Sequence, residues 1–156
     1  MADHITKIEE ITASEAPMDL LLQADPSIKN VKNYLRQSKC FIAKLEDQIV
    51  GACVVKPISK NTHELMNISV DPKYQKTGIG RNLLQYVIIA TREAKARRLE
   101  VGTGTFGYQL AFYQREGFRV YSIEKNFFLV NYEEPIYEDG IQLKDMLRLM
   151  LEFERD

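Results

Sequence analysis

The 156-residue sequence predicts an α/β (α+β) domain built around one central sheet. Three observations lead to that class. Short apolar or alternating segments are interleaved with segments whose apolar residues recur at helical spacing. Residues Leu65 to Val70 read as a buried strand that runs through a polar turn with two glycines into an amphipathic helix. Near the C-terminus, Leu147, Leu149, Leu151 and Phe153 fall on alternate positions, the period of a strand. No repeat, low-complexity tract or Gly/Ser/Pro linker divides the chain, so residues 1–156 are expected to form a single domain.

Taken in order, Ile5, Ile8 and Ile11 mark a short N-terminal strand. Residues 13–24 look helical, with Ser14 as N-cap and Asp25-Pro26 as the stop, and 27–37 form a second helix carrying Ile28, Val31, Tyr34 and Leu35. Strands over 40–45 and 48–57 are joined by the tight turn Glu46-Asp47, and Gly51 marks a bulge or a close contact. After the strand 65–70 comes a helix over 79–98, whose last turn holds Lys95, Arg97 and Arg98 at the negative end of its dipole. A strand at 99–103, a helix at 108–116 ended by Gly117, and a strand at 118–123 follow. Residues 127–132 look extended, Asp139-Gly140 is a turn, and 145–153 is read as a final strand, although a terminal helix would bury most of the same leucines.

Composition excludes several function classes. A net charge of −1 gives no overall basic surface for nucleic acid. No apolar run is long enough to span a bilayer and the N-terminus has no charged-then-apolar leader, so a cytoplasmic protein without membrane contact is expected. Cys40 and Cys53 are isolated thiols on predicted strands, expected to be reduced and buried. His4 and His63 form no ligand cluster with them, so no metal site is expected.

The turn between Val70 and Leu83 carries the chemistry. A strand, a glycine turn and a helix start leave unpaired N–H groups at the positive end of a helix dipole, a place suited to phosphate. Gly78 and Gly80 let the backbone come close to a bulky polyanion. A Walker loop would need Lys-Ser/Thr after Gly80, where Arg81 and Asn82 stand; a dinucleotide fingerprint would need a glycine at Leu83. Neither spacing fits.

What Gln75-Lys76-Thr77-Gly78-Ile79-Gly80 resembles is the Gln/Arg-x-x-Gly-x-Gly/Ala acetyl-CoA motif of the GNAT N-acetyltransferase superfamily. A second block, Gln109-Leu110-Ala111-Phe112-Tyr113-Gln114-Arg115-Glu116-Gly117-Phe118, is similar to the family's later helix. The resemblance covers residues 39–124 well and implies the GNAT fold, a mixed, mostly antiparallel sheet of about six or seven strands flanked by about four helices.

It also implies a ligand and a reaction: transfer of acetyl from acetyl-CoA to a primary amine of a small molecule or peptide by direct attack. Ile68, Ser69 and Val70 would pair their backbone with the pantetheine arm, and Gln75, Lys76, Thr77, Gly78, Ile79, Gly80 and Arg81 would receive the diphosphate. A bulge on the preceding strand would free an N–H for the thioester oxygen. Tyr113 is the expected general acid, since a phenol is protonated at neutral pH and can donate to a departing thiolate; Phe112 lies beside it at the cofactor. Glu64 is the candidate base, against the plainer reading of a solvated strand residue near a turn at Asn61-Thr62-His63, and His63 is more readily a bystander. Relatives commonly place an asparagine where Phe106 stands, so Thr103 or Thr105 would have to substitute. The acceptor would lie among residues 19–34 and 126–140, where Glu133, Glu134, Glu138 and Asp139 with Phe127, Phe128, Tyr132 and Tyr137 form an acidic, aromatic rim or a solvated loop. A homodimer is compatible with the family. The rival reading is a coenzyme-A-binding sensor or partner module without turnover.

Overall fold

The computed structural model describes residues 6–154; Ile5 and His4 of the sequence reading lie outside them. The strands are β1 (Lys7–Ile11), β2 (Lys39–Leu45), β3 (Gln48–Pro57), β4 (Thr62–Val70), β5 (Arg98–Gly104), β6 (Arg119–Glu124), β7 (Tyr137–Glu138), β8 (Ile141–Gln142) and β9 (Met146–Glu152). The helices are α1 (Met18–Ala24), α2 (Ile28–Leu35), α3 (Ile79–Glu93), α4 (Tyr108–Arg115) and α5 (Phe127–Asn131). Seven strands make the main sheet in the order β1-β2-β3-β4-β5-β9-β6. Only β4 and β5 run parallel, so the expected mixed, mostly antiparallel sheet is found, with five α-helices rather than about four. The terminal segment is the expected strand, β9, inserted antiparallel between β5 and β6.

Each face of the sheet has its own core. On one, Leu83, Leu84 and Val87 of α3 and Tyr113 of α4 pack on Leu65, Leu99, Val101 and Leu149. On the other, Leu21 of α1 with Val31 and Leu35 of α2 covers Cys40, Ile42, Ala52 and Val54. Full burial of one such aliphatic side chain contributes about 1.5–3 kcal/mol, so these layers hold the strands in register. Cys40 and Cys53 are free thiols inside the cores, as expected. No helix among the described residues is long and apolar enough to cross a membrane.

Four local expectations need correction. Residues 13–24 do not form one helix: a 3-10 turn at Ala13–Glu15 precedes α1, and Ser14 caps nothing but meets Thr12 Oγ1 at 3.1 Å. Pro17 explains the break, because it disfavours a helical residue before it and supplies no N–H. Helix α3 stops at Glu93, with Lys95 left-handed (φ 68°), so Arg97 and Arg98 leave its last turn; Arg98 starts β5 and donates from Nε to Thr62 Oγ1 at 2.9 Å. The turn placed at 61–63 closes earlier, where the Ile58 and Ser59 N–H groups both donate to the Thr62 carbonyl and Thr62 opens β4.

The fourth is the segment 127–132, which is not extended. Asn126 adopts a left-handed conformation (φ 62°) with its N–H on Asp145 Oδ1 at 2.8 Å, and the Leu129 and Val130 N–H groups fold back on its carbonyl. Tertiary anchors make α5 from an apolar run too short for its period to decide. Asp139 (φ 51°) and Gly140 (φ 77°) form the expected turn, here closing the small hairpin β7–β8.

Candidate active site

The site begins where β4 and β5 part. They pair only from Thr62 opposite Arg98 to Leu65 opposite Val101. Beyond that point β4 runs on to Val70 and β5 to Gly104, so the inner edge of residues 66–70 has no strand beside it. A bulge lies at the parting point: Val54 pairs with Asn67 and Val55 with Leu65, which leaves Met66 as the extra residue. The bulge turns Met66 and Asn67 both toward α1 and α2, and Ile68 returns to the α3/α4 side.

A cavity of about 450 Å³ occupies this gap. Its walls are Ile68, Ser69 and Val70 of β4, the turn residues Gln75, Lys76, Gly78, Gly80 and Arg81, Tyr108, Gln109, Phe112 and Tyr113 of α4, and Gln23 and Ala24 of α1. The turn is fastened from within. Asp71 accepts from the Lys73 N–H (3.0 Å), Thr77 Oγ1 donates to the Tyr74 carbonyl, and Gln75 Nε2 donates to the Val70 carbonyl (3.0 Å). Lys76 (φ 63°) and Gly78 (φ 91°) take left-handed conformations that turn the chain into α3. The first bond of that helix runs from the Asn82 N–H to the Gly78 carbonyl (3.0 Å). The N–H groups of Ile79, Gly80 and Arg81 are therefore outside the helical ladder, at its positive end and at the mouth of the cavity. A Cβ at Gly80 would sit 3.5 Å from Val70 and 3.8 Å from Phe112, so the backbone there lies against both walls.

Other predicted residues stand differently. Ile79 is fully buried under Ala43 and Val50, leaving its N–H as its only offer to a ligand. Thr77 and Thr103 do not line the cavity; the Thr103 hydroxyl is buried without a partner among the described residues. Arg81 lines it but is tied through Nε to Glu116 Oε1 at 3.1 Å, a carboxylate also held by Gln85. The sequence reading missed Tyr108 and Gln109; Gly107, at a positive φ of 101° that favours glycine, is the signal that α4 starts here with its first turn toward the cavity.

Tyr113 closes the inner end. It is 5% exposed, with its ring edge-on to Phe112 and Phe118 at 5.3 and 5.6 Å. Burial, helped by the adjacent Cys53 and Tyr108, holds its phenol well above the ordinary value. It therefore keeps its proton at neutral pH.

Glu64 lies on the α1/α2 side of the sheet, one residue before the last β4–β5 pair at the gap. Its Oε2 accepts a hydrogen bond from Arg148 Nη1 at 3.3 Å, and its Oε1 forms an ion pair with Nη2 at 3.2 Å. Glu100, directly opposite Glu64 on β5, lies 3.7 Å from Arg148 Nη2 and accepts from the Tyr121 hydroxyl. Burial works against the Arg148 charge, but its carboxylate and phenol partners outweigh it and raise its pKa. Strand alternation puts His63 on the opposite face from Glu64; burial, then the charge of Lys39, lowers its pKa.

A chain of hydrogen bonds supports the bulge. Asn67 Nδ2 donates to the Leu21 carbonyl (2.8 Å) and to the Tyr34 hydroxyl (3.0 Å). Tyr34 donates to Asp25 Oδ2 (3.2 Å), and Tyr132, beyond α5, donates to Asp25 Oδ1 (3.0 Å). No group of three or more His, Cys, Asp or Glu among the described residues could hold a metal ion.

A family model described as an acetyltransferase (GNAT) domain matches residues 36–120. The uncharacterized N-acetyltransferase YvbK of Bacillus subtilis is 41% identical over 135 residues, 86% of this chain and 87% of the relative. A GNAT family acetyltransferase of Elizabethkingia anophelis with acetyl-CoA bound superposes with a TM-score of 0.91 at 41% identity, covering 95% of this chain and 98% of its own. A Bacillus subtilis acetyltransferase in complex with CoA gives a TM-score of 0.89 at 38% identity, covering 96% and 100%. A protein described as an IAA acetyltransferase from Bacillus cereus gives 0.92 at 38%, again covering 96% and 100%.

Proposed function

The chain belongs to the GNAT acetyltransferase family, and from that premise we propose that it transfers acetyl from acetyl-CoA to a primary amine of a small molecule or peptide in the cytoplasm. The observation that carries this reading is the parted β4–β5 pair opening onto a cavity whose mouth is the free N-terminus of α3. The free edge of Ile68–Val70 suits an extended amide-bearing arm laid beside it as another strand, and the N–H groups of 79–81 suit a diphosphate. Solved relatives with acetyl-CoA or CoA bound support this use of the fold.

Each remaining chemical demand has a residue. The bulge at Met66 offers a backbone donor where charge would develop on the carbonyl oxygen. Tyr113, neutral and at the inner end of the cavity, donates a proton to the departing thiolate. An alkyl ammonium must lose a proton before it attacks. Glu64 faces the α1/α2 side at the parting of the strands, and each of its oxygens keeps a lone pair beyond its Arg148 bond for a proton arriving directly or through water. The pair Glu64 and Glu100 around one Arg148, with acidic residues at 133, 134, 138 and 139, favours a cationic acceptor.

The test joins calorimetric titration with CoA to an amine screen that follows free-thiol release from acetyl-CoA. Tyr113→Phe and Glu64→Gln are expected to cut turnover on the order of a hundredfold while leaving CoA affinity within a few-fold. Absence of CoA binding would end the proposal. Binding without turnover on any amine would instead make the protein a CoA-responsive module.

A further inference from the structure

Glu64 and Glu100 stand opposite each other just before β4 and β5 part, and Arg148 reaches both from β9. The three side chains are partly open to solvent, at 20%, 16% and 16%. Each terminal nitrogen of a guanidinium has two N–H bonds, and here each has two partners. Arg148 Nη1 donates to Glu64 Oε2 at 3.3 Å and to Met146 Sδ at 3.7 Å. Nη2 lies 3.2 Å from Glu64 Oε1 and 3.7 Å from Glu100 Oε1. The Tyr121 hydroxyl also donates to Glu100 Oε1. Glu100 Oε2 is left without a partner among the described residues.

Two carboxylates around one guanidinium leave this triad one negative charge in excess. From the level of Glu64 to the gap, Arg148 is the only cation that β4, β5 and β9 turn to this face. An arriving anion therefore meets surplus negative charge and an arginine whose fork has no N–H to spare. An arriving ammonium balances the triad at two charges of each sign and finds Glu100 Oε2 open to its N–H. We propose that the triad selects primary amines with no carboxylate on the amino-bearing carbon and turns away free amino acids, with Glu100 as the specificity-determining residue. This inference rests on the acetyl-transfer reading above and narrows its acceptor.

The physics is a repulsive element set beside an attractive one. A free amino acid carries its carboxylate one carbon from its ammonium, so seating the ammonium on the triad brings a third carboxylate close to Glu64 and Glu100. Like charges in a partly desolvated place repel strongly, and the cation that could offset them is already taken. An alkylamine, an amino-acid amide or a peptide N-terminus brings the positive charge without that penalty. Acetylation turns the nitrogen into an uncharged amide, which the triad no longer attracts, so the same charge count favours product release.

Two matched pairs test this: leucine with 3-methylbutylamine, and phenylalanine with 2-phenylethylamine. Within each pair the compounds differ only by the carboxylate. An alkylamine holds its proton more tightly than an α-amino group, so a preference for the amine cannot come from a larger reactive fraction. Free-thiol release from acetyl-CoA should give each amine a kcat/KM about a hundredfold above its amino acid. Glu100→Gln removes the excess charge and should shrink that ratio about tenfold, through KM for the amine. Structural damage alone would lower both members of a pair and leave their ratio unchanged. Calorimetric titration of the wild-type protein–CoA complex with the same four compounds reads the selection without turnover and without a variant, and the amines should bind while the amino acids do not. Amino acids used or bound as well as the amines, no binding of either amine to the CoA complex, or a folded Glu100→Gln protein with the wild-type ratio would each overturn the inference. Acetyl transfer survives an equal use of both compounds. Amine binding to the CoA complex without thiol release would instead remove the transfer reading and leave the triad's selection standing.

Discussion

Arg148 on β9 reaches across β5 to hold both carboxylate oxygens of Glu64 on β4, at 3.2 and 3.3 Å. The reach depends on Gly102, which lies opposite Arg148 and has no side chain. A Cβ there would fall 2.3 Å from Met146 Sδ, 2.8 Å from its Cε and 2.9 Å from Arg148 Nη1. The buried Met146 and the ion-paired Arg148 would both have to shift. Gly102→Ala is therefore expected to cost about 1–3 kcal/mol in denaturant unfolding, to push Arg148 off Glu64 and to lower turnover several-fold. Arg148→Gln leaves two neighbouring carboxylates without their cation and should cost about 2 kcal/mol. Arg148→Lys should recover only part of it, because an ammonium cannot bridge both oxygens in a planar fork. Equal stability of the Lys variant and the wild type would show that bidentate geometry is irrelevant.

Gly78 and Gly80 serve the turn by different physics, and substitution separates them. Gly78 has φ 91° with nothing within 4 Å of an added Cβ. Gly78→Ala is a conformational penalty alone, about 1–2 kcal/mol of stability. A methyl at Gly80 meets Val70 and Phe112 at ordinary contact distances, 3.5 and 3.8 Å. Gly80→Ala should leave stability within about 0.5 kcal/mol and weaken CoA binding about tenfold, because the methyl enters the space beside the free N–H groups. Thermal melts with and without CoA read both effects; the reverse pattern would remove the turn from the binding account.

The two glycine blocks were legible because their chemistry is local. Left-handed turns, a free helix N-terminus and a Gly117 cap (φ 99°) follow from neighbouring residues, and so did the strand–turn–helix order around them. The Arg148–Glu64 pair was not legible, since the residues are 84 positions apart and meet only because β9 enters between β5 and β6. Helix α5 escaped for a related reason: its anchors are Asp145, Lys144 and Asn30, none of them near in sequence. Glu64 was correctly placed on the strand before the turn, but its arginine partner had no sequence signal.

Stability should fall as the solution turns alkaline. Burial raises the phenols of Tyr34, Tyr113 and Tyr132, the Cys53 thiol, and the Cys40 thiol to about 11. Unfolding returns them to ordinary values near 8.5 for Cys and 10 for Tyr. Above those values the unfolded chain releases protons that the native chain keeps, so unfolding becomes more favourable as pH rises. The loss should begin near pH 9 with the thiols and steepen above about pH 10, with a slope of about 1.4 kcal/mol per pH unit for each group fully ionised only when unfolded. Urea unfolding at pH 7, 9 and 10.5 measures it. A flat profile would mean that these groups titrate normally in the native protein.

Asp25 joins Tyr132, just beyond α5, to the bulge. It is 8% exposed and accepts from the Tyr34 and Tyr132 hydroxyls and the Ser27 N–H. Among the described residues no Lys, Arg or His is paired with it, and hydrogen bonds answer its charge. Asp25→Ala would leave the buried Tyr34 hydroxyl, the half-buried Tyr132 hydroxyl and the Ser27 amide without their acceptor and should cost about 2–3 kcal/mol. Asp25→Asn keeps one acceptor and introduces an NH2 that must face a hydroxyl oxygen, so it should cost less, about 1 kcal/mol. Tyr34 turns in this chain to accept from Asn67, and Asn67 flanks the Met66 bulge. If the bulge supplies the donor to the reacting carbonyl, Asp25→Asn should lower kcat about tenfold with little change in CoA affinity, and Tyr132→Phe, which removes only the outer link, should act less. Equal effects of both on KM and none on kcat would make the chain a support for the acceptor alone, because a bond that orients the bulge must be felt in the chemical step.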